Sequence, residues 1–238
     1  MPASSRLRPR DRRRAFRAVL DEAVALLLAA ECGGCDVPGA ALCASCAERL
    51  RPVAVRLRTP YGRAVDGGLV FDGAAARVIR AVKEGGRTAL LDALAPALRD
   101  AVRRAASGPV ADALVPVPTS RAAFRRRGYR VPELLAARTG ATLLRALAPR
   151  RIVADQRGLG RTARRRNVAG SLRATTAGEG RRVVLVDDVA TTGATLDEAA
   201  RALEEAGFVV AGCAVAAITP RDRPGREPPL GTDVRMPR

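Results

Sequence analysis

The chain predicts an α/β fold, with a mainly parallel, doubly wound sheet preceded by a small four-cysteine module. Three observations predict it. Continuous apolar runs rich in β-branched residues, such as residues 183–186 and 209–218, alternate with amphipathic helical stretches. Such runs suit strands covered on both faces, and their alternation with helices favours parallel pairing. The run ending at Val186 turns abruptly into Asp187-Asp188-Val189-Ala190-Thr191-Thr192-Gly193 and then into a helical pattern. Four cysteines lie close together near the start, ahead of the first predicted strand.

Taken in order, residues 1–14 read as a disordered basic lead and residues 15–50 as a helix followed by the cysteine module. Residues 51–67 read as a connector to the main domain, residues 68–219. Within that domain a strand is expected at 68–72, then two helices over 73–106 broken near Gly85-Gly86, because paired glycines interrupt a helix. A central strand is expected at 113–117, a helix at 132–138 and a strand at 151–153. The next strand is 183–187. The segment Thr195 to Ala206 places Leu196, Ala199, Ala200 and Leu203 on one helical face, and 209–218 is the last strand. From 220 to 238 proline and arginine dominate without periodicity, the composition of a disordered tail.

A chain of 238 residues with 47% apolar content has room for one such domain and a small appendage. No apolar run approaches the roughly eighteen residues of a membrane span. The longest candidate near the start, Val24 to Ala30, follows Asp21 and Glu22, which interrupt the uncharged core a secretion signal needs. The expectation is a cytoplasmic protein without membrane insertion. The net charge of +18 comes almost entirely from arginine, Lys83 being the only lysine. That skew, with abundant Ala, Gly and Pro, reflects a coding bias, so local clusters are more informative than the total. Two stand out: Arg121, Arg125, Arg126, Arg127 and Arg130, and Arg157, Arg161, Arg164, Arg165 and Arg166. Both read as loops at strand ends, where α/β sheets place ligands and where guanidinium forks suit phosphate oxygens. A solvated basic face is the alternative for any single arginine.

Cys32-Gly33-Gly34-Cys35 and Cys43-Ala44-Ser45-Cys46 are two C-x-x-C knuckles separated by seven residues. Each can direct two thiolates at one tetrahedral ion, which points to structural zinc held by Cys32, Cys35, Cys43 and Cys46. Disulfides are the alternative, disfavoured in a reducing compartment. Cys213 lies within an apolar run and reads as a buried strand residue.

Asp187 and Asp188 are acceptors when ionised and suit a vicinal diol such as that of ribose. Thr191, Thr192, Gly193, Ala194 and Thr195 lead into a helix whose unpaired N–H groups attract phosphate, and Gly193 offers no Cβ to hold it away. An ordinary strand-to-helix turn with a threonine cap is the alternative.

The segment Asp187 to Thr195 resembles the phosphoribosyl-pyrophosphate (PRPP) motif of type I phosphoribosyltransferases. The two knuckles, Phe71-Asp72-Gly73 with Val78, Ile79, Lys83 and Gly86, residues 111–118, Arg127-Gly128-Tyr129, Gln156-Arg157-Gly158-Leu159 and Arg166-Asn167-Val168 follow in the order of the ComF family. The resemblance implies a type I phosphoribosyltransferase-like fold that binds PRPP or a ribonucleotide with magnesium, and transfer of the 5-phosphoribosyl group to an acceptor. It also implies that Asp187 and Asp188 hold the ribose hydroxyls and that the Thr191–Thr195 loop binds the 5′-phosphate. Thr119, Ser120 and Arg121 would face the pyrophosphate, and Arg157, Arg166 and Asn167 would belong to a cover. The alternative it carries is a non-catalytic accessory protein of DNA uptake or repair, with single-stranded DNA and a competence helicase as partners. With six aromatic residues there are few stacking platforms, so DNA binding of that kind would rest on arginine–phosphate contacts. Two departures narrow the substrate. Thr191 stands where purine transferases commonly carry an acid, and Arg130-Val131 stands where the ComF family typically has Asn-Gln. There is no histidine for proton transfer.

Overall fold

A computed structural model describes residues 31–106, 111–150 and 169–220. The basic lead, the expected helix before the knuckles up to residue 30, the expected strand at 151–153 and the tail beyond 220 lie outside the described residues, as do Arg157, Arg166 and Asn167. In chain order the elements are α1 (Ala44–Arg49), β1 (Val55–Arg58), β2 (Ala64–Val70), α2 (Gly73–Glu84) and α3 (Leu91–Ala105), the last entered through a 3-10 turn, Thr88–Leu90. Then follow β3 (Ala113–Pro116), α4 (Arg121–Arg127), α5 (Val131–Ala137), β4 (Leu147–Pro149), β5 (Leu172–Ala174), β6 (Arg182–Ala190), α6 (Ala194–Glu204) and β7 (Val209–Ile218).

Five strands form one sheet in the order β1-β2-β7-β6-β3, in which only the β1–β2 pair is antiparallel. Alternation along β6 explains why the sheet is covered twice. Val183 and Leu185 pack with Val115, Val215, Leu196 and Leu203 on the α6 side. Val184 and Val186 pack with Leu94, Leu98, Leu135 and Ala214 on the side of α3 and α5. All four β6 residues are fully buried, so the apolar run is continuous rather than alternating. Helix α3 lies unusually close to the sheet. A Cβ on Gly68 of β2 would come within 2.1 Å of the Ala97 carbonyl oxygen, and one on Gly212 of β7 within 2.2 Å of that of Ala105. Small residues at these two positions let the helix backbone rest on two parallel strands.

Several boundaries differ from those the sequence predicts. The expected connector, 51–67, contains β1 and most of β2, so the sheet begins near residue 55. Its alternation of Arg56 and Arg58 with buried Leu57 is that of an edge strand, and Gly67-Gly68 lowers strand propensity for the sake of α3. The first arginine cluster is not all loop. Ser120 caps α4, its Oγ accepting from the Ala123 N–H at 3.2 Å, and Gly128 closes it at φ +77. No residue of α4 is buried, so no apolar period marks it. The hairpin of β4 and β5 is likewise unforeseen. Strand β6 runs on to Ala190, past both aspartates, and α6 starts one residue earlier and ends two residues earlier than the periodicity predicts. Among the described residues no helix is long and apolar enough to cross a membrane.

Candidate functional site

The ligand edge of a parallel sheet is the carboxyl end of its strands. Here β3 and β6 are in register at Pro116 and Val186, and the Val117 N–H donates to the Val186 carbonyl at 2.9 Å. The turn Pro118–Arg121 therefore leaves the sheet beside the Asp187-Asp188 pair. On the far flank β7 pairs with Asp187 through Val215 and with Ala190 through Ile218.

The two aspartates have different surroundings. Asp188 is buried, and the only lysine, Lys83 at the end of α2, donates from Nζ to its Oδ1 at 2.7 Å. Among the described residues no cation makes a comparable contact with Asp187. Its Oδ1 accepts from the Asp188 N–H at 2.8 Å. Burial, and then the neighbouring Asp188 charge, push the Asp187 carboxyl up to about 8, against the pull of that N–H and of Lys83.

Beyond the diacid the chain presents Thr191 and Thr192, both exposed, and then Gly193. Thr192 Oγ1 accepts from the Ala194 N–H at 3.3 Å, which turns the chain into α6. Gly193 adopts φ +79, and a Cβ there would lie 2.6 Å from the Thr59 methyl carbon. The glycine is thus demanded by backbone conformation and by the β1–β2 turn, a reason additional to ligand approach. The same Thr59 donates from Oγ1 to Asp197 Oδ1 at 2.6 Å, and the Tyr61 N–H donates to Asp197 Oδ2 at 3.2 Å. An edge hairpin far away in sequence therefore braces the first turn of the eleven-residue helix α6, whose open N–H groups face the Thr–Gly loop.

Of the residues picked out from the sequence, Asp187, Asp188, Thr191, Thr192, Gly193, Ala194 and Thr195 form one strand-to-helix crossing. Thr119 and Arg121 line a cleft of about 430 Å3 with Pro118, Phe124, Arg125 and Arg130. Ser120 is occupied in capping α4. Lys83, Thr59 and Asp197 were not among the expected site residues. Lys83 carried a compositional signal, one lysine in a chain that otherwise uses arginine. Thr59 and Asp197 carried none.

The hairpin of β4 and β5 is tied to α6 by charge. Glu198 is buried, accepting from the Leu172 N–H at 3.0 Å and from Arg201 Nε and Nη2 at 2.8 and 2.7 Å. Burial raises its carboxyl, but these donors outweigh that and hold it below the usual range.

The four cysteines of the two knuckles converge, with their sulfur atoms all within 4.8 Å of one another and Cys35 Sγ 3.7 Å from Cys43 Sγ. Backbone N–H groups of Cys43 and Gly34 donate to Cys32 Sγ at 3.3 and 3.4 Å. Burial pushes the Cys32 thiol up, yet hydrogen bonds from the backbone of Cys43, Gly34 and Cys35 outweigh it and bring it to about 6. Cys46, buried among the other three, is pushed up to about 12. Four sulfurs this close cannot all be thiolates without a cation between them. The arrangement can hold a metal ion. The module packs on α2 and the 3-10 turn: Cys46 lies with Ala74, Arg77 pairs with Asp36, and Arg87 Nη2 donates to the carbonyls of Glu31 and Ala41 at 2.6 and 2.9 Å.

Residues 136–237 match the family model described as phosphoribosyl transferase domain, and the Asp187–Thr195 crossing lies within that span. That part of the chain is therefore similar to a phosphoribosyl transferase domain. A 56-residue stretch is 54% identical to an adenine phosphoribosyltransferase of Clavibacter michiganensis subsp. michiganensis (strain NCPPB 382), covering 24% of this chain and 31% of that protein. The chain thus spans about a third of the length of the curated relative it matches. Among solved structures, adenine phosphoribosyltransferase from Saccharomyces cerevisiae is 16% identical, covering 74% of this chain and 89% of that chain with a TM-score of 0.38. Orotate phosphoribosyltransferase from Aeropyrum pernix is 20% identical, covering 71% and 76%, with a TM-score of 0.31.

Proposed function

We propose that the protein is a phosphoribosyltransferase that binds PRPP with magnesium at Asp187–Thr195 and transfers the 5-phosphoribosyl group to an acceptor. The observation that carries this reading is the diacid near the carboxyl end of β6, followed after Val189 and Ala190 by exposed Thr191 and Thr192 and by Gly193 at the start of α6. Asp187 and Asp188 would accept hydrogen bonds from the ribose 2′ and 3′ hydroxyls. The loop and the first N–H groups of α6 would hold the 5′-phosphate. In the reaction the C1–O bond to pyrophosphate breaks as the acceptor atom bonds to C1, and positive charge develops on the sugar ring. Carboxylates under the ring favour that charge, and fixing the sugar at three points supplies orientation rather than a nucleophile. Magnesium, carried on the phosphate oxygens of PRPP, supplies neutralisation of the leaving pyrophosphate.

Thr119 and Arg121 would meet that pyrophosphate from the neighbouring turn. The order of motifs around this frame supports membership of the ComF family, and the convergence of both knuckles into one four-sulfur cluster supports zinc. The Cys35–Cys43 separation of 3.7 Å is close to the edge of a tetrahedron with Zn–S bonds of about 2.3 Å.

The test is thermal stability with and without PRPP and magnesium, followed by pyrophosphate release on addition of candidate bases. A rise in Tm is expected in the wild type and its loss in Asp187→Asn/Asp188→Asn. A rise that persists in the double variant places the ligand elsewhere. Binding without pyrophosphate release across the panel makes the protein an accessory binder rather than a transferase. For the metal, about one zinc per chain is expected on elemental analysis, and four titratable thiols with no metal in freshly purified protein would sink the assignment.

A further inference from the structure

Beside Asp188 lies a second cleft, about 560 Å3, lined by Lys83, Glu84, Gly86, Arg126, Arg127 and Tyr129. It is built by two elements distant in sequence. Tyr129, just after α4, donates from its hydroxyl to the Val82 carbonyl near the end of α2, which locks the two walls together. Lys83 stands at the boundary, its ammonium on Asp188 and its side chain in the cleft wall. Among the described residues Arg126 and Arg127 have neither an ion pair nor a hydrogen bond from their guanidinium groups, whereas Arg63, Arg104, Arg138, Arg145 and Arg201 all pair with carboxylates. Glu84 is the one acid in the wall, and with Lys83 paired to Asp188 the two arginines outnumber it.

Helix α4 divides its arginines between two cavities. Arg121 and Arg125, one turn apart, line the cleft with Thr119. Arg126 and Arg127 line the one with Lys83. A group transfer from PRPP has two partners that must approach C1 from opposite sides, the leaving pyrophosphate and the incoming acceptor. The first cleft carries the strand-end turn beside the diacid, which leaves the second for the acceptor. Unpaired guanidinium groups select oxyanions, and a neutral heterocycle gives them no partner.

We propose that the Lys83–Arg126–Arg127 cleft is a second oxyanion subsite, which takes a carboxylate or phosphate group borne by the acceptor. The proposal rests on the PRPP reading of Asp187–Thr195, and the acceptor class it names is an acid rather than a neutral base.

The experiment uses the full chain with saturating ribose 5-phosphate and magnesium pyrophosphate, so that the Thr–Gly loop and the Thr119–Arg121 turn are both filled, and follows Tm on adding inorganic phosphate or acetate at constant ionic strength. A further saturable rise is expected in the wild type. The larger response to phosphate identifies a phosphomonoester acceptor, and the larger response to acetate a carboxylate. In Arg126→Gln/Arg127→Gln the apparent affinity for the anion falls tenfold or more, while the shift with PRPP and magnesium is retained. Arg126→Lys/Arg127→Lys keeps part of the anion response and controls for folding. In Arg121→Gln/Arg125→Gln the anion response is retained. No saturable rise with either anion overturns the proposal, as does a rise unchanged in Arg126→Gln/Arg127→Gln. The PRPP shift is read in parallel samples without ribose 5-phosphate, so its absence from the wild type marks failure of the underlying reading instead.

Discussion

Burial, and then the charge of its neighbour Asp188, raises the proton affinity of Asp187, while Lys83 sits on Asp188. The sign of the pH effect follows. Folded Asp187 keeps its proton up to about 8, against 3.8 for the ordinary group, so between these values the folded state binds more protons than the unfolded state. Its contribution therefore disfavours folding progressively as pH rises across that window. Asp187→Asn should gain in Tm relative to wild type as pH goes from 5 to 9, and a difference that stays flat over that range contradicts the assignment. PRPP affinity should move the opposite way, increasing as pH rises through about 8, because hydroxyl donors need the ionised carboxyl. Gly193→Ala should cost about 1–2 kcal/mol for the left-handed conformation alone and displace Thr59, lowering both Tm and the PRPP shift. The diacid and loop were legible in the sequence because they are consecutive. The contacts Lys83–Asp188 and Thr59–Asp197 were not, since they span separations of 105 and 138 residues and no sequence pattern pairs their two ends.

At the scale of elements, legibility followed burial. The strands β6 and β7 and the helices α2, α3 and α6 show their periods because one or both faces are covered. Strand β1 and helix α4 are short and rich in arginine, and the hairpin β4–β5 is three residues a side, so none carries an apolar pattern long enough to read. That hairpin depends on a charge contact instead. Arg201 is 37% exposed while Glu198 is 4%, so removing the arginine leaves a buried carboxylate with only the backbone N–H groups of Leu172 and Gly170 as partners among the described residues. Arg201→Ala should destabilise by about 2 kcal/mol, below the range for fully buried pairs because water replaces part of the guanidinium. Urea unfolding measures it. Glu198→Gln/Arg201→Met, which removes both charges, should recover part of the loss, and equal losses in the two variants would contradict the explanation.

Across the whole molecule, the cysteine module and the phosphate edge share a helix. The module rests on the start of α2 through Ala74 and Arg77, and the end of α2 delivers Lys83 to Asp188. Metal removal by a chelator should therefore lower Tm and also diminish the PRPP shift, although no cysteine touches the diacid. A chelated sample with an unaltered PRPP shift would show that α2 is held by the rest of the core alone. The sheet has an equally long reach. The family match covers 136–237, yet β6 and β7 are flanked by β3 and β2, both of which lie before that span.

The position of β7 in the strand order bears on how the protein is made. Val65 of β2 pairs with Cys213 of β7, so on the ribosome the early strand emerges long before its neighbour exists. β7 is the last of the described strands in sequence but central in the sheet, between β2 and β6. Until it is synthesised, the nascent chain presents two open strand edges and an uncovered apolar face, the condition that invites association with other chains. A stop codon just ahead of Val209 should therefore yield aggregates rather than a shortened domain, as sedimentation of newly translated protein would reveal. Completion of this fold is a late and nearly simultaneous event, set by the arrival of one strand.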